Sequence, residues 1–338
     1  MSLYAGIDLH SNNSHIGIID ESDRRLYKKK LGNNLDQILL ALDPYKNDLA
    51  GVVVESTFNW YWLVDGLMEN GYKLHLANPS AIQQYEGLKY TDDTSDSFWL
   101  AHMLRLGILP EGYIYQKEAR PMRDLLRKRA QLVRHRTSHI LSVSSMASRN
   151  MNTRINGNDV KSMGEDDIEN IFIQPYLIMA AKSSMEVIKV LSLNIKKIEK
   201  EIKSQLKLKN EYKFLTNIPG IGVILAMTIM LEVGDIARFT KVGCYSSYCR
   251  CVRSIRLSNG KIKGKGNGKN GNKYLAWSYI EAANFAIRFC PYAKKFYQRK
   301  LAKSNGVLAI KALSNKLARA SYYMIRDQVA YDPDKLFG

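Results

Sequence analysis

Six residues, Ala50–Glu55 (AGVVVE), limit the fold more than any other stretch of this chain. No polar side chain appears until the last of them, and three consecutive valines are β-branched. Such a run reads as a strand buried on both faces, which needs strands beside it and helices above and below. Two β-rich runs precede it, Tyr4–Leu9 (YAGIDL) and His15–Ile19 (HIGII), joined by the polar turn His10–Ser14. They read as a hairpin. A third run, Leu26–Leu31, alternates weakly, and Leu35–Leu42 has helical spacing. After the valine strand, Trp60, Leu63 and Leu67 give Phe58–Asn70 a helical period, and Lys73–Ala77 reads as another strand. The expected order is β-β-β-α-β-α-β with helix to follow, a mixed α/β domain over residues 1–115.

The rest of the chain reads as helical. Gln116–Ala147 forms one long basic helix, with Arg120, Arg123, Arg127, Lys128, Arg129, Arg134 and Arg136 around a stripe that includes Met122, Leu126 and Ile140. Asn150–Glu165 is polar and contains glycine, so a loop is expected there. Ile188, Leu191, Ile195, Ile198 and Ile202 make a heptad-like seam over Met185–Leu206. Such a seam suits a coiled coil, within the chain or between chains, or a helical hairpin with the preceding helix. Near Phe214 the run LTNIPGIGVILAMTIMLEVGDIARF reads as helix, tight turn, helix. The expected division is 1–115, a basic-helix and coiled-coil linker over 116–210, and a mostly helical C-terminal domain over 211–330.

Charge narrows the partner. The chain has 50 Lys and Arg against 32 Asp and Glu, a formal net charge of +18. A chain this basic calls for a polyanion, and nucleic acid releases condensed counterions when its phosphates are neutralised. The charge is also uneven. From Ile236 to Ile280 there is no acidic residue, while Arg238, Lys241, Arg250, Arg253, Arg256, Lys261, Lys263, Lys265, Lys269 and Lys273 stand among glycines and asparagines. Tyr245, Tyr248, Tyr274 and Trp277 flank this run and are expected to stack on bases. No apolar stretch reaches the ~18 residues of a membrane helix, and the N-terminus lacks the pattern of a signal peptide. A cytoplasmic, nucleoid-associated protein without a membrane partner is therefore expected. Cys244, Cys249 and Cys251 lie close together, but the C-x4-C-x-C spacing lacks the C-x2-C pair of zinc sites, so reduced thiols are expected.

Three places suit chemistry. The first is a set of carboxylates. Asp8 follows a strand, Glu55 ends the valine strand, and Asp92, Asp93 and Asp96 lie where a helix starts. Carboxylates at strand ends and a helix start can meet at one sheet edge, and oxygen donors of this kind suit Mg²⁺ or Mn²⁺. Taken singly, each acid is as well explained as a cap or turn residue. The second is IPGIG, where Gly220 and Gly222 would expose backbone N–H groups at a helix start to a phosphate. The third is the basic loop, where Ser254 and Ser258 stand among cations able to stabilise an alkoxide and a charged phosphorus centre. A serine in a glycine-rich loop is otherwise a turn residue.

The strand order resembles that of ribonuclease-H-like domains. YAGIDLHSNNSHIGIID, VVVESTFNWYWLVDGL, KYTDDTSDSFWLA, LTNIPGIGVILAMTIMLEVGDI and GNGKNGNKYLAWSYIEAA, in that order, resemble the insertion-sequence transposases. These pair an N-terminal DEDD, Holliday-junction-resolvase-like domain with a C-terminal serine-bearing domain that has a helix-hairpin-helix-like segment. The resemblance implies four acids at Asp8, Glu55, Asp93 and Asp96, spacing to Asp96 favouring Asp93 over Asp92, and a Mg²⁺ (or Mn²⁺) cofactor. It implies a serine nucleophile at Ser258, with Ser254 in reserve. It also implies DNA and a guide (bridge) RNA as partners and a homo-oligomer, from dimer to tetramer. This chain departs from the family pattern at Ser97, which follows the last aspartate, at Arg253, and in Leu257-Ser258-Asn259-Gly260, where a serine doublet is broken. The alternative expectation is a Holliday-junction resolvase-like, Mg²⁺-dependent DNA nuclease.

Overall fold

The N-terminal hairpin forms in a computed structural model, which describes residues 1–82, 93–204, 210–252, 255–264 and 270–338. Strand β1 (Leu3–Leu9) pairs antiparallel with β2 (Asn13–Ile19), and β2 antiparallel with β3 (Arg25–Gly32). Helix α1 (Leu35–Leu42) follows, its first turn capped by the Asn34 side chain, which accepts from the Gln37 N–H. Strand β4 (Leu49–Glu55) pairs parallel with β1. After α2 (Tyr61–Glu69), β5 (Leu74–Ala77) pairs parallel with β4, which gives the sheet order β3-β2-β1-β4-β5. Helix α3 (Asp93–Arg105) completes the fold of the first of two compact units, Met1–Lys117 and Glu118–Gly338.

Alternation along the strands sorts the two sheet faces. Ala5, Ile7, Leu9, Val52 and Val54 pack with Ile38 and Leu42 of α1 and Leu63, Val64 and Leu67 of α2. Val53 and Ala77 pack instead with Leu100 and Met103 of α3. The valine strand is thus covered on both sides, as its composition requires. This mixed sheet is compatible with a ribonuclease-H-like domain.

Among the described residues, the regular structure of the second unit is helical apart from one ribbon. It contains α4 (Arg120–Met151), α5 (Gly157–Ser162), α6 (Glu165–Ile171), α7 (Pro175–Ser204), α8 (Asn210–Thr216), α9 (Val223–Val233) and α10 (Val242–Tyr248). The ribbon β6 (Arg256–Ser258) and β7 (Lys261–Gly264) comes next, then α11 (Lys273–Phe289), α12 (Pro291–Leu301), α13 (Gly306–Asp327) and α14 (Pro333–Phe337). The heptad-like seam is used within the chain. Ile188 packs with Ile140 and Val143 of α4, and Ile202 with Leu126. The pairing of helices expected from the seam is therefore a helical hairpin between α4 and α7. Asn150–Glu165, expected as a loop, holds α5, which Asn156 caps by accepting from Asn158 and Asp159 N–H groups. Asn156 and Gly157 are start signals that the polarity of the segment obscures.

Three tyrosines, Tyr245, Tyr279 and Tyr322, are fully buried in the core of α9–α13. Their hydroxyls are satisfied: Tyr245 and Tyr279 share a 2.6 Å hydrogen bond, and Tyr322 donates to the Phe239 carbonyl at 2.9 Å. Cys249, Cys251 and Cys290 are free and buried in the same core, and Cys244 is free and exposed. Burial pushes the Cys251 thiol up to about 12, the behaviour of an inert structural cysteine. Among the described residues, no helix is long and apolar enough to cross a membrane.

Candidate functional site

The carboxylates are placed by sheet register. Ile7 of β1 lies beside Val54 of β4, so Asp8 and Glu55 follow at adjacent positions on the two central parallel strands. Asp8 shares a strand face with Gly6, two residues earlier. That face meets α3 at very short range: a Cβ on Gly6 would lie 1.9 Å from the Ser97 carbonyl oxygen and 2.9 Å from the Ala101 nitrogen. Glycine is therefore required in mid-strand for the helix backbone to rest on the strand backbone. Ser97 is fully buried by this seating, and Asp96 precedes it.

Electrostatics show that the acids are close. Burial raises the pKa of Glu55, and the negative charges of Asp8 and Asp96 raise it further, with His10 opposing in part. Asp8 is 5% exposed, and the His10 Nε2 lies 3.1 Å from its Oδ2. His10 is held in turn by its carbonyl, which accepts from the side-chain amides of Asn33 and Asn59, each at 3.0 Å. In the sequence His10 reads as part of a turn; its spacing of two from Asp8 is the signal that could single it out. Asp93 is the first residue of α3, three positions before Asp96 and so on the same helical face. Asp92 lies outside the described residues. Among the described residues, no three His, Cys, Asp or Glu are arranged to hold a metal ion. Asp8, Glu55 and Asp96 are nonetheless hard oxygen donors, and repulsion of the kind that centres on Glu55 is eased by a divalent cation.

The basic segment is organised from its base. The Asn272 N–H donates to the Tyr248 carbonyl at 2.6 Å, and Arg250 donates from Nε and a terminal nitrogen to the Gly271 carbonyl at 3.1 and 2.8 Å. The chain thus leaves the helical core and returns to it at neighbouring points. Between them, Arg256–Ser258 and Lys261–Gly264 pair as a ribbon turned by Asn259 (φ 48°) and Gly260 (φ 70°). Two successive left-handed residues make the type I′ turn that matches strand twist, and Asn-Gly is its strongest signal. The ribbon replaces the loop expected from the glycines and lysines. Ser258 is exposed and sits opposite Lys261, next to the turn. Lys261 and Lys263 are exposed on β7, Arg256 is in β6, and Lys273 is exposed at the start of α11. Arg253, Ser254, Lys265 and Lys269 lie outside the described residues.

Other expected contact residues have structural duties. Gly220 adopts φ +92°, and a Cβ there would lie 2.3 Å from the Ala282 carbonyl oxygen, so it lets the turn before α9 rest on α11. Gly222 is the exposed N-cap of α9, and a Cβ added there would meet nothing within 4 Å. Tyr245 is fully buried and cannot stack on a base, which corrects that expectation. The rings of Tyr248 and Tyr274 already carry the guanidinium groups of Arg238 and Arg127, each at 4.5 Å.

One buried acid escapes a reading of the sequence. Glu232 of α9 is 2% exposed and accepts from Arg127 at 2.6 and 2.8 Å, Arg123 at 3.1 Å and the Asn272 amide at 2.6 Å. Burial alone would raise its pKa; the hydrogen bonds from Arg127 and the charges of Arg123 and Arg127 outweigh this and lower it. The Asn272 carbonyl oxygen meanwhile caps α11 by accepting from the Tyr274 and Leu275 N–H groups. Two arginines of the long basic helix thus face inward and fix the point where the basic segment re-enters the core.

Comparison with known proteins bears on both regions. Residues 5–149 match a DEDD-type family described as Transposase, and residues 212–298 match one described as Transposase IS116/IS110/IS902 family. The transposase for insertion sequence element IS1328 from Yersinia enterocolitica is 22% identical over 94% of this chain and 95% of its own length. An uncharacterized 43.6 kDa protein of insertion element IS110 from Streptomyces coelicolor is 24% identical over 40% of this chain. That match spans only 34% of the Streptomyces protein. The transposase for IS1111A from Coxiella burnetii is 27% identical over 39% of this chain and 38% of its own length.

Proposed function

Since this chain is a transposase of the IS110 family, we propose that it excises and inserts a mobile DNA element by strand exchange, using Ser258 and a metal-loaded carboxylate site. The observation that carries this reading is the clustering of Asp8 and Asp96 around Glu55 within a matched transposase domain, in a chain whose second matched domain holds the exposed Ser258.

Asp8, Glu55, Asp93 and Asp96 would hold Mg²⁺ or Mn²⁺. When bound, such an ion polarises a phosphoryl oxygen and offsets the charge that builds on it. The remaining steps belong to the chain. The Ser258 Oγ attacks a DNA phosphorus, forms a 5′-phosphoserine and releases a 3′-hydroxyl. A 3′-hydroxyl from another strand then attacks that phosphoserine, restores a phosphodiester and frees the serine. One bond forms as one breaks in each step, so no nucleotide cofactor is consumed. Lys261, across the ribbon from Ser258, and the other basic residues of the segment neutralise phosphates. A guide RNA encoded by the element would choose sites by base pairing, with the protein reading phosphate and RNA shape. The work would be done by a homo-oligomer in the cytoplasm, at the nucleoid. Val190 and Leu193, exposed on α7 away from the α4 seam, support a contact between copies.

One observation favours a second reading. The acids all fall in Met1–Lys117, a unit that is compact without the serine-bearing one, as a water-using, resolvase-like nuclease would need. The test is a denaturing gel of full-length protein with Mg²⁺, the element's RNA and labelled terminal DNA, run with and without protease. A protease-sensitive adduct that is lost in Ser258→Ala is expected. Cleaved ends without an adduct, unaffected by Ser258→Ala and lost in Asp8→Ala, would replace the recombinase by the nuclease.

A further inference from the structure

Trp277, Glu281 and Phe285 stand four residues apart on α11 and share one face. Together with Val133 and Arg134 of α4 and Ile224 of α9, they line a cleft of about 650 Å³ that lies wholly within the second unit. Sites for small organic groups span roughly 300–1,000 Å³ and combine apolar walls with a few polar groups. This cleft has that make-up. Phe285 is 40% exposed, so a large ring is open to solvent at the cleft.

Its carboxylate is the informative group. Glu281 is the first acid after the 45-residue acid-free stretch, half-buried in the cleft wall. Among the described residues it has neither an ion-pair nor a hydrogen-bond partner. A carboxylate there repels phosphate, so it cannot serve the backbone of a nucleic acid. It can accept from an N–H donor brought in by a ligand. Arg134, exposed at the cleft and likewise unpaired among the described residues, supplies a cation for a phosphate. Flat faces for stacking, an acceptor inside and a cation outside are the groups that receive a base turned out of its stack.

We propose that this cleft binds one unstacked base of the DNA substrate, and that Glu281 accepts from its exocyclic amine. Cytosine and thymine share a ring but differ at position 4, an amine in one and a carbonyl in the other. The cleft therefore takes cytosine and rejects thymine, which turns an oxygen toward Glu281. The inference rests on the reading of this chain as an enzyme acting on DNA. It does not rest on Ser258 or on the four acids.

The test is fluorescence anisotropy of the full-length protein with short labelled oligo-dC and oligo-dT, in chelator so that no cleavage occurs. Wild type is expected to bind oligo-dC about tenfold more tightly, the size of one good base contact. Glu281→Ala is expected to abolish the preference. Trp277→Ala should weaken both by about tenfold, with Trp277→Phe restoring most of the loss, which separates lost stacking from misfolding. Equal binding of the two by wild type, or a preference that survives Glu281→Ala, would overturn the proposal. So would discrimination confined to oligo-rC over oligo-rU, which would assign the cleft to RNA. Because these readouts need no catalysis, an inactive serine or acid site leaves them standing, and an intact adduct assay cannot rescue them.

Discussion

Replacing Gly6 with alanine tests how the acid site is built, without touching an acid. The new Cβ would sit 1.9 Å from the Ser97 carbonyl oxygen and 3.0 Å from its carbon. Close carbon–oxygen contacts in proteins stop at about 3.3 Å, so α3 must retreat by more than about 1 Å. The obstacle is backbone, and no rotamer change removes it. Asp96 is adjacent in sequence to the residue struck, while Asp8 and Glu55 stay with the sheet. A displacement of about 1 Å at reacting groups costs about 100-fold in rate, and overpacking of this kind costs about 1–3 kcal/mol of stability. Gly6→Ala is therefore expected to cut DNA cleavage about 100-fold at a temperature where the protein is still folded, and to lower its thermal midpoint. Two controls grade the effect. At Gly17 the nearest atoms to a Cβ are in the Phe98 ring and Ser97 Oγ, at 2.8 and 2.9 Å, side-chain groups rather than backbone. At Gly32 it meets nothing within 4 Å. The expected order of damage is Gly6, Gly17, Gly32. Wild-type stability and cleavage in Gly6→Ala would refute the seating of α3 on β1.

Three more outcomes follow from the same geometry. Glu55 has a raised pKa, so the folded state holds its proton more tightly than the unfolded one; its ionisation costs stability as pH rises through that raised value. Glu55→Gln should thus raise the thermal midpoint of metal-free protein at neutral pH and reduce the stabilisation by Mg²⁺; calorimetry showing an unchanged Mg²⁺ shift would count against its role as a ligand. Glu232 has the opposite sign: its lowered pKa gives stability that is complete above the ordinary carboxylate range and is lost as pH falls through the lowered value. Urea unfolding of Glu232→Ala should show a loss of about 3–5 kcal/mol, because the buried Arg123 and the partly buried Arg127 both lose this carboxylate. Gly260→Val forces a branched side chain into φ +70°, at a local cost of roughly 1–2 kcal/mol; the thermal midpoint should hold while the yield of protein–DNA adduct drops, and an unchanged yield would detach the turn from the chemistry.

The central sheet is legible in the sequence because its signals are local and one-sided. Three valines in a row cannot be anything but covered, and alternation along YAGIDL sorts Ile7 from Asp8. The gathering of acids is legible only as a possibility of strand ends; that Gly6 is the enabling residue depends on a helix far along the chain, at Ser97 and Ala101. Glu232 is invisible for the same reason, since its cations come from α4 and its amide from Asn272. Arginines at 123 and 127 look like any others in a basic helix until a distant acid claims them. The ribbon is different: Asn259-Gly260 announces a hairpin, and the surrounding glycines and lysines mask it.

The closed base of the basic segment has a practical meaning. Because Tyr248 and Asn272 are bonded to each other, the chain that continues past the buried Cys249 and Cys251 is an insert whose ends are already spliced. Such an insert is a cassette: it can be lengthened, shortened or exchanged with that of another element while the helices keep their places. Loop extension costs little, about 0.6 kcal/mol per doubling. A chimera carrying a foreign cassette between the buried Cys251 and Gly271 should fold as this chain does and take its DNA-handling character from the donor.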